Sequence, residues 1–232
     1  MLYNHIYNNL PEVIMEQSKE KPILIQKPDG LTLVSGDLSL RGDFSSMKDR
    51  LKPNNLNSEM LVRAARIKTP LNGTVPVAVD ATAGLGEDSF LLAASGFKVY
   101  LFEKNETIAA LLKDALERAL KDPDIAETAS RMIFVEGDSI AGMKSLPEHP
   151  DVVYLDPMFP ERRKSGLIKK KFQLLQLLER PCDDEDSLIN AAVAVSPAKI
   201  VIKRPAKAPV LGGIKPSYTI SGNSIRYDCI VR

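Results

Sequence analysis

The sequence predicts a doubly wound α/β domain preceded by a small β-rich lobe. Between about residues 75 and 205, apolar strand-like runs alternate with helical segments, a rhythm typical of a parallel sheet with helices on both faces. A glycine-containing turn follows the first of these strands. The first fifty or so residues instead contain short apolar runs separated by turn residues, which is typical of a small β structure.

Length and composition narrow the class of protein. A chain of 232 residues can form one α/β domain with an appendage, or a single large domain. Its formal net charge is only +1, so any contact with nucleic acid must come from a local patch. Cys182 and Cys229 lack metal-ligand spacing and are too few for a disulfide framework, so we expect no metal and a reducing, cytoplasmic setting. No signal peptide or membrane-spanning run is evident, and we expect no contact with a membrane.

The predicted N-terminal lobe covers residues 1–56. Ile23–Gln26 and Leu31–Val34 flank a Lys-Pro-Asp-Gly turn, which indicates a hairpin, and Leu38–Arg41 alternates like another short strand. The stretch up to Asn57 is polar and rich in turn residues. We therefore place the start of the second domain, residues 57–232, at this point.

The second domain is predicted from hydrophobic periodicity and from start and stop residues. The predicted helices are Ser58–Lys68, Glu87–Ser95, Glu106–Lys121, Lys169–Leu178 and Ser187–Val195. The predicted strands are Val75–Asp80, Lys98–Lys104, Arg131–Asp138, Asp151–Pro157 and Lys199–Pro205. Tyr218–Ser221 and Ser224–Val231 flank Gly222-Asn223 as a final hairpin, which would add an antiparallel edge to the sheet.

The turn after the first strand of this domain is a candidate ligand platform. Gly84 and Gly86 let the backbone approach a ligand closely, and the following helix N-terminus favours an anionic group. An adenosine-containing cofactor is the first hypothesis. Ser89 stands where the dinucleotide fingerprint has Gly or Ala, and a purely structural turn remains an alternative for this stretch.

Acidic residues end the predicted strands. Because ligands of such sheets bind beyond the carboxyl ends of the strands, these residues are candidate cofactor ligands. Glu103 stands near the usual position of a ribose-binding carboxylate, and Asp138-Ser139 could bind an adenine amine. Each carboxylate alone could equally cap the next helix. Together they favour a nucleoside site, and the set is Asp80, Glu103, Asp138 and Asp156.

The segment Asp156-Pro-Met-Phe-Pro160 is the sharpest motif. It resembles the Asn/Asp-Pro-Pro-Tyr/Phe tetrapeptide of methyltransferases that modify exocyclic amines, with Met158 in place of the second proline. Asp156 and a neighbouring carbonyl would accept the two N–H groups of a target amine. Pro157 would stiffen the loop and Phe159 would stack on the target base.

A basic run follows this motif at once. Beside a base-stacking phenylalanine, such a run suits phosphate contacts, although a charge run is more often a solvated face. The candidate RNA-binding residues are Arg162, Arg163, Lys164, Lys169, Lys170 and Lys171, with Lys203 and Arg204 as an extension.

Four stretches together resemble the ribosomal RNA small subunit methyltransferase J family. They are DATAGLGEDSFLLAASG, LFEKN with AALLKDALERAL, VVYLDPMFPERRKSGLIKKKF, and KIVIKRPAKAP. The resemblance covers about residues 70 to 210. It implies a Rossmann-like class I S-adenosylmethionine (SAM)-dependent methyltransferase domain with an antiparallel C-terminal hairpin. It also implies methylation of N2 of a guanosine in 16S rRNA.

The resemblance carries cofactor contacts to particular positions of this chain. They are Glu87 and Asp88 after the glycine turn, Glu103 and Lys104 after the second strand of the domain, Asp138 and Ser139 after the third, and Asp156. Whether Asp156 contacts the cofactor, the target amine or both stays open. The expected partner is 16S rRNA or the 30S subunit.

Two other functions remain as alternatives. A nicotinamide-dependent oxidoreductase would use the same glycine turn, but it predicts a small residue at Ser89 and leaves the Asp156 motif without a role. A non-catalytic RNA-binding protein would use the basic run alone, and its binding to RNA would not respond to SAM.

Overall fold

The computed structural model describes residues 21–71, 75–157, 174, 178 and 184–232. The strands of its main sheet are β4 (Val77–Asp80), β5 (Lys98–Glu103), β6 (Met132–Glu136), β7 (Val152–Leu155), β8 (Lys199–Pro205), β9 (Tyr218–Ser221) and β10 (Ile225–Val231). These seven described strands have the order β6-β5-β4-β7-β8-β10-β9. This arrangement confirms the predicted fold class.

The C-terminal hairpin joins the sheet in an unexpected way. Strands β4 to β8 are parallel neighbours, whereas β10 pairs antiparallel with both β8 and β9. The strand that closes the sheet is therefore β9, which runs in the same direction as β4 to β8. The antiparallel strand lies one place inside the edge, where its residues Tyr227 and Cys229 are buried.

Helices cover both faces of the sheet, and each face has its own apolar core. One core contains Phe90, Leu112 and Tyr154, and the other contains Val153, Ile189 and Ile202. Within residues 75–157 and 184–232, the α-helices that follow β4 are α4 (Glu87–Ala94), α5 (Glu106–Ala119), α6 (Ala126–Ser130), α7 (Ser139–Gly142) and α8 (Glu185–Ala194). The short helices α6 and α7 were not predicted, because each is little more than one turn.

The N-terminal segment forms the predicted antiparallel sheet. Its strands are β1 (Ile23–Lys27), β2 (Gly30–Ser35) and β3 (Leu38–Leu40). Leu33, Leu38 and Leu40 are buried against Ile108 and Leu111 of α5. The small sheet therefore rests on α5, one of the helices that cover the main sheet. The division at residues 56 and 57 remains a prediction.

The stretch before β4 is more helical than the sequence suggested. A single helix over Ser58–Lys68 was predicted, but the structure has α1 (Lys48–Leu51), α2 (Pro53–Ser58) and α3 (Met60–Ala65). Pro53 occupies the first turn of α2, where its missing N–H costs nothing. Ser58 is the last residue of α2, and its hydroxyl donates to the carbonyl of Asn55 in the same helix. This serine therefore ends a helix and does not begin one.

Of the predicted helix Lys169–Leu178, the structure describes two residues, Leu174 and Leu178, and both are helical. Leu174 is buried among the leucines of the N-terminal sheet. The Asn105 amide, beside the carboxyl end of β5, donates to the carbonyl of Leu178 at 2.9 Å. Leu174 and Leu178 therefore lie on the glycine-turn side of the sheet. Among the described helices, none is both long and apolar enough to cross a bilayer.

Phe44 connects the N-terminal segment to the core of the main domain. Its side chain is 2% exposed and stacks on Phe90 of α4 with ring centroids 4.6 Å apart. Phe44→Ala should lower the free energy of unfolding by about 3–5 kcal/mol, because it leaves a cavity beneath α4. Urea denaturation measures this change. Leu120→Ala is the matched control, since Leu120 is 50% exposed. Equal stability of the two variants would show that Phe44 does not pack in this core.

Candidate active site

The strand order reverses between β4 and β7, which places a crevice at their carboxyl ends. Asp80 ends β4, and Asp156 follows β7 directly. The two loops that leave these strands are joined, because the Ala81 amide donates to the carbonyl of Tyr154 and the Asp156 amide donates to Thr82 Oγ1 at 2.7 Å. The Asp156 backbone is thus fixed beside the glycine turn.

The glycine turn has the backbone conformation that its sequence requires. Gly84 and Gly86 have φ of +54° and +79°, in the left-handed region that favours glycine. A Cβ on Gly86 would lie 2.7 Å from Leu112 Cδ1 and 3.1 Å from Phe44 Cζ. The underside of the turn is therefore packed against α5 and the N-terminal segment, which leaves its upper side for a ligand.

Asp80 supports this turn from within the fold. Its side chain is completely buried and accepts hydrogen bonds from the Thr82 amide at 3.0 Å and from Ser89 Oγ at 2.5 Å. Asp80 was predicted to contact the cofactor, but burial leaves no accessible surface, so it acts through the turn. Ser89 replaces the small residue of a dinucleotide fingerprint because its hydroxyl satisfies this buried carboxyl group.

Burial raises the pKa of Asp80 to about 7. The hydrogen bonds from Ser89 and Thr82 oppose this effect, and the carboxylates of Asp88 and Asp156 add to it. The protonation of this buried carboxyl group therefore changes near neutral pH.

Glu103 links β5 to the glycine turn. One carboxylate oxygen accepts from the Gly84 amide at 3.0 Å and the other from the Asn105 amide at 2.7 Å. Burial raises the pKa of Glu103, and these backbone donors lower it. A carboxylate oxygen has a second lone pair, so each oxygen can also accept from a ribose hydroxyl.

The other predicted cofactor residues lie along the same edge. Asp138 caps α7, with Oδ1 accepting from the Ile140 amide at 2.8 Å, so the capping alternative holds for this residue. Its neighbour Ser139 is buried, and Lys104 is exposed at the end of β5. Glu87 and Asp88 form the first turn of α4, directly after Gly86.

Lys203 joins two of the acidic residues. Its ammonium group donates to Asp156 Oδ2 at 2.8 Å and to Asp88 Oδ2 at 2.9 Å. The Tyr154 hydroxyl donates to the same oxygen of Asp88 at 2.6 Å. Burial raises the pKa of Asp156, the ammonium group of Lys203 lowers it, and Asp88 raises it. The contacts thus run from Tyr154 through Asp88 and Lys203 to Asp156.

Lys203 and Arg204 do not extend a surface for phosphate binding as predicted. The charge of Lys203 is directed to two carboxylates, and the Arg204 side chain is 1% exposed and donates to the carbonyl of Pro209 at 3.0 Å. Successive residues of a strand point to opposite faces of the sheet. The Lys203 side chain therefore lies beside Asp88 and Asp156, whereas the Arg204 side chain is buried on the other face.

Part of the predicted site lies outside the described residues. Of the Asp156 motif the structure describes Asp156 and Pro157, and Pro157 is buried. The other predicted residues of this segment are not among the described ones. They are Phe159, Arg162, Arg163, Lys164, Lys169, Lys170 and Lys171. Their roles remain predictions.

Two residues of the site were not predicted from the sequence. Thr82 holds the Asp156 amide, and Tyr154 donates to Asp88. Thr82 is the polar residue between Asp80 and the first glycine, which was a signal available in the sequence. Tyr154 sits in an apolar strand and carried no such signal, because its ring packs in the core while its hydroxyl reaches the site.

Asp80→Asn tests the protonation of the buried carboxyl group. An acid whose pKa is higher in the folded state stabilises the fold at low pH, and this contribution is lost as the pH rises through about 7. Between about pH 5 and pH 8 the wild type should lose on the order of 2 kcal/mol relative to the variant. Thermal unfolding at several pH values measures the difference. Asp37→Asn changes an exposed residue and is the control: its stability relative to the wild type should change little with pH. If the stability difference between the wild type and Asp80→Asn is the same at every pH, the raised pKa does not belong to Asp80.

Comparison with known proteins gives the family. The model of a putative SAM-dependent methyltransferase family matches residues 10–232. The chain is 46% identical over 173 residues to the ribosomal RNA small subunit methyltransferase J of Pseudomonas paraeruginosa, covering 74% of this chain and 65% of that protein. It is equally similar to the relative of the same name from Thioalkalivibrio sulfidiphilus, covering 76% of this chain and 69% of that protein.

The fold agrees with that of a solved structure. A crystal structure of a SAM-dependent methyltransferase from Neisseria gonorrhoeae has a TM-score of 0.73 and 28% identity, and the match covers 95% of this chain and 90% of that one. These matches confirm the resemblance found in the sequence. The chain belongs to the family of SAM-dependent methyltransferases that includes the ribosomal RNA small subunit methyltransferase J proteins.

Proposed function

We propose that this chain transfers a methyl group from SAM to the exocyclic N2 amine of a guanosine in 16S rRNA of the small ribosomal subunit. The observation that carries the proposal is the fixed position of Asp156, whose amide is held by Thr82 and whose carboxylate is held by Lys203. The names of the relatives support the substrate class, and the match spans about two thirds of their length.

The charges around the crevice fit the cofactor. Asp88 and Asp156 carry two negative charges and Lys203 one positive charge, so the group is net negative. SAM carries a sulfonium, an ammonium and a carboxylate, and is net positive. A pyrophosphate would meet carboxylates at the start of α4 and be repelled, which argues against a nicotinamide dinucleotide.

The strand ends supply positions for each part of the cofactor. Glu103 would accept from the ribose hydroxyls, and Asp138 with Ser139 would lie beside the adenine. The first turn of α4, with Glu87 and Asp88, would face the amino-acid part. When bound, SAM supplies an electrophilic methyl group, which forms its new bond with the lone pair of the amine while the sulfur keeps the electrons of the broken bond.

The chemistry asked of Asp156 is orientation more than basicity. The lone pair of an exocyclic purine amine is conjugated with the ring, and it becomes available when the N–H groups are held by fixed acceptors. As the nitrogen gains positive charge its protons become strongly acidic, so a weak base suffices. A carboxylate paired with Lys203 is a weak base in a fixed place, and it or water would take the proton.

The target is a large polyanion, and the contact must be local because the chain is nearly neutral. The basic run after the Asp156 motif would bind phosphates beside the target base. We place the reaction in the cytoplasm, where ribosomal subunits are found.

Methyl transfer from labelled SAM to 30S subunits that lack the modification tests the proposal. Mapping should locate the label on N2 of one guanosine. Asp156→Ala should reduce kcat at least about a hundredfold, because the amine is no longer oriented. Asp156→Asn, which keeps an acceptor oxygen at the same place, should retain more activity.

The control for this experiment is Asp37→Ala, in the exposed turn between β2 and β3, which should leave turnover unchanged. Wild-type turnover by Asp156→Ala would remove Asp156 from the reaction. RNA binding without any methyl transfer, and without a response to SAM, would favour a non-catalytic RNA-binding protein.

The RNA contact has a separate test. Changing Arg162, Arg163 and Lys164 together to Ala should weaken binding to 30S subunits and make the logarithm of the binding constant depend less steeply on salt, because fewer counterions are released. Titrations at several salt concentrations measure both effects. An unchanged affinity and an unchanged salt dependence would show that the basic run does not contact the RNA and is a solvated face.

A further inference from the structure

The Asp156 carboxylate and the Lys203 ammonium group are brought together by the register of the sheet. Leu155 pairs with Ile202 and Tyr227 pairs with Lys203 across β7, β8 and β10. Side chains alternate along each strand, so Tyr154, Asp156, Lys203 and Tyr227 share the face covered by α4. The first turn of α4 adds Asp88 to this group.

The negative charges of two carboxylates this close to each other need a positive charge between them. Asp88 and Asp156 each lie within 3 Å of the same ammonium nitrogen, and the side chains of all three residues are between 23% and 35% exposed. Without the ammonium group the two like charges would repel each other, and a proton would bind to one of them more readily. A protonated or rotated Asp156 would no longer offer a fixed acceptor.

We propose that Lys203 is a positioning residue for methyl transfer, which holds the Asp156 carboxylate ionised and directed at the target amine. The inference rests on the proposed function and deepens it, since it assigns to β8 a role in presenting the substrate. Lys203 itself needs no contact with the RNA, the cofactor or the transferred group.

The other groups around this pair favour the same role. The Tyr154 hydroxyl donates to the Asp88 oxygen that Lys203 also contacts, and burial with the nearby carboxylates raises the pKa of Tyr154 well above its ordinary value. Tyr154 therefore stays a donor. Burial lowers the pKa of Lys203, but the carboxylates of Asp88 and Asp156 raise it by more, so Lys203 stays protonated. Four titratable groups of the described elements face Asp156 and Lys203: Asp80 on β4, Asp88 on α4, Tyr154 on β7 and Tyr227 on β10. Two more charged groups act on these neighbours: Glu59 interacts with Tyr227, and Arg50 interacts with Asp88.

The test compares Lys203→Met with Lys203→Arg. Met has nearly the length of Lys without its charge, whereas Arg keeps the charge. Lys203→Met should lower kcat by about ten- to a hundredfold with little change in KM for the 30S subunit. The acidic limb of its pH–rate profile should move upward by about 1–3 pH units, because an opposite charge next to Asp156 has been removed. Lys203→Arg should keep the wild-type limb and most of kcat.

A second readout does not depend on turnover. In protein labelled with ¹³C at aspartate carboxyl groups and free of cofactor, the Asp156 resonance, identified by its loss in Asp156→Asn, should titrate about 1–3 pH units higher in Lys203→Met. Lys203→Gln, which keeps a polar side chain, replaces Met if that variant does not fold. The control is Lys121→Met, an exposed lysine just beyond α5.

Each outcome decides between the claims. Loss of kcat with a shifted limb and a shifted Asp156 titration supports the inference. Wild-type kcat with an unshifted limb, or loss of thermal stability with an unshifted titration, overturns the inference and leaves the proposed function intact. Failure of the wild type to methylate any 30S subunit overturns both.

Discussion

The site depends on how the protein holds several carboxyl groups at one edge of a sheet. Asp80, Asp88, Glu103 and Asp156 all lie near the carboxyl ends of β4, β5 and β7. Their surroundings are of three kinds. Asp80 is buried and has a raised pKa, Glu103 accepts from two backbone amides, and Asp88 and Asp156 contact Lys203. Because the surroundings differ, carboxyl groups of the same type can support the turn and, in the reaction proposed here, bind a ribose and orient an amine.

The N-terminal segment contributes to the same edge from below. Phe44 packs against Phe90 and lies under Gly86, and the leucines of the N-terminal sheet surround Leu85 of the glycine turn. The turn is thus held between the α4–α5 helices and a segment that precedes the whole α/β arrangement. A rigid underside fixes the backbone amides of the turn before any ligand arrives, which lowers the entropic cost of binding.

Much of the fold could be predicted because local pattern and tertiary burial agree. The parallel strands are short apolar runs that end in acidic residues, and the glycines mark a turn that only left-handed φ allows. The position of β10 could not be predicted, since a hairpin signature fixes the pairing of two strands but not which of them joins the sheet. The helices before β4 were hidden because polar and Asn-rich sequence is typical of turns as well.

For the site, strand ends identified the candidate residues but not their contacts. Asp80 and Asp156 look alike in sequence, and only burial separates a support of the turn from a residue that faces the crevice. Lys203 and Arg204 look like a basic pair, and only strand alternation separates them. A crystal structure with S-adenosylhomocysteine tests the central claim most directly. We expect its ribose hydroxyls within hydrogen-bonding distance of Glu103 and its sulfur in the crevice, facing the Asp156 carboxylate. A ligand at another edge of the sheet, or one whose sulfur is separated from Asp156 by protein, would contradict the account.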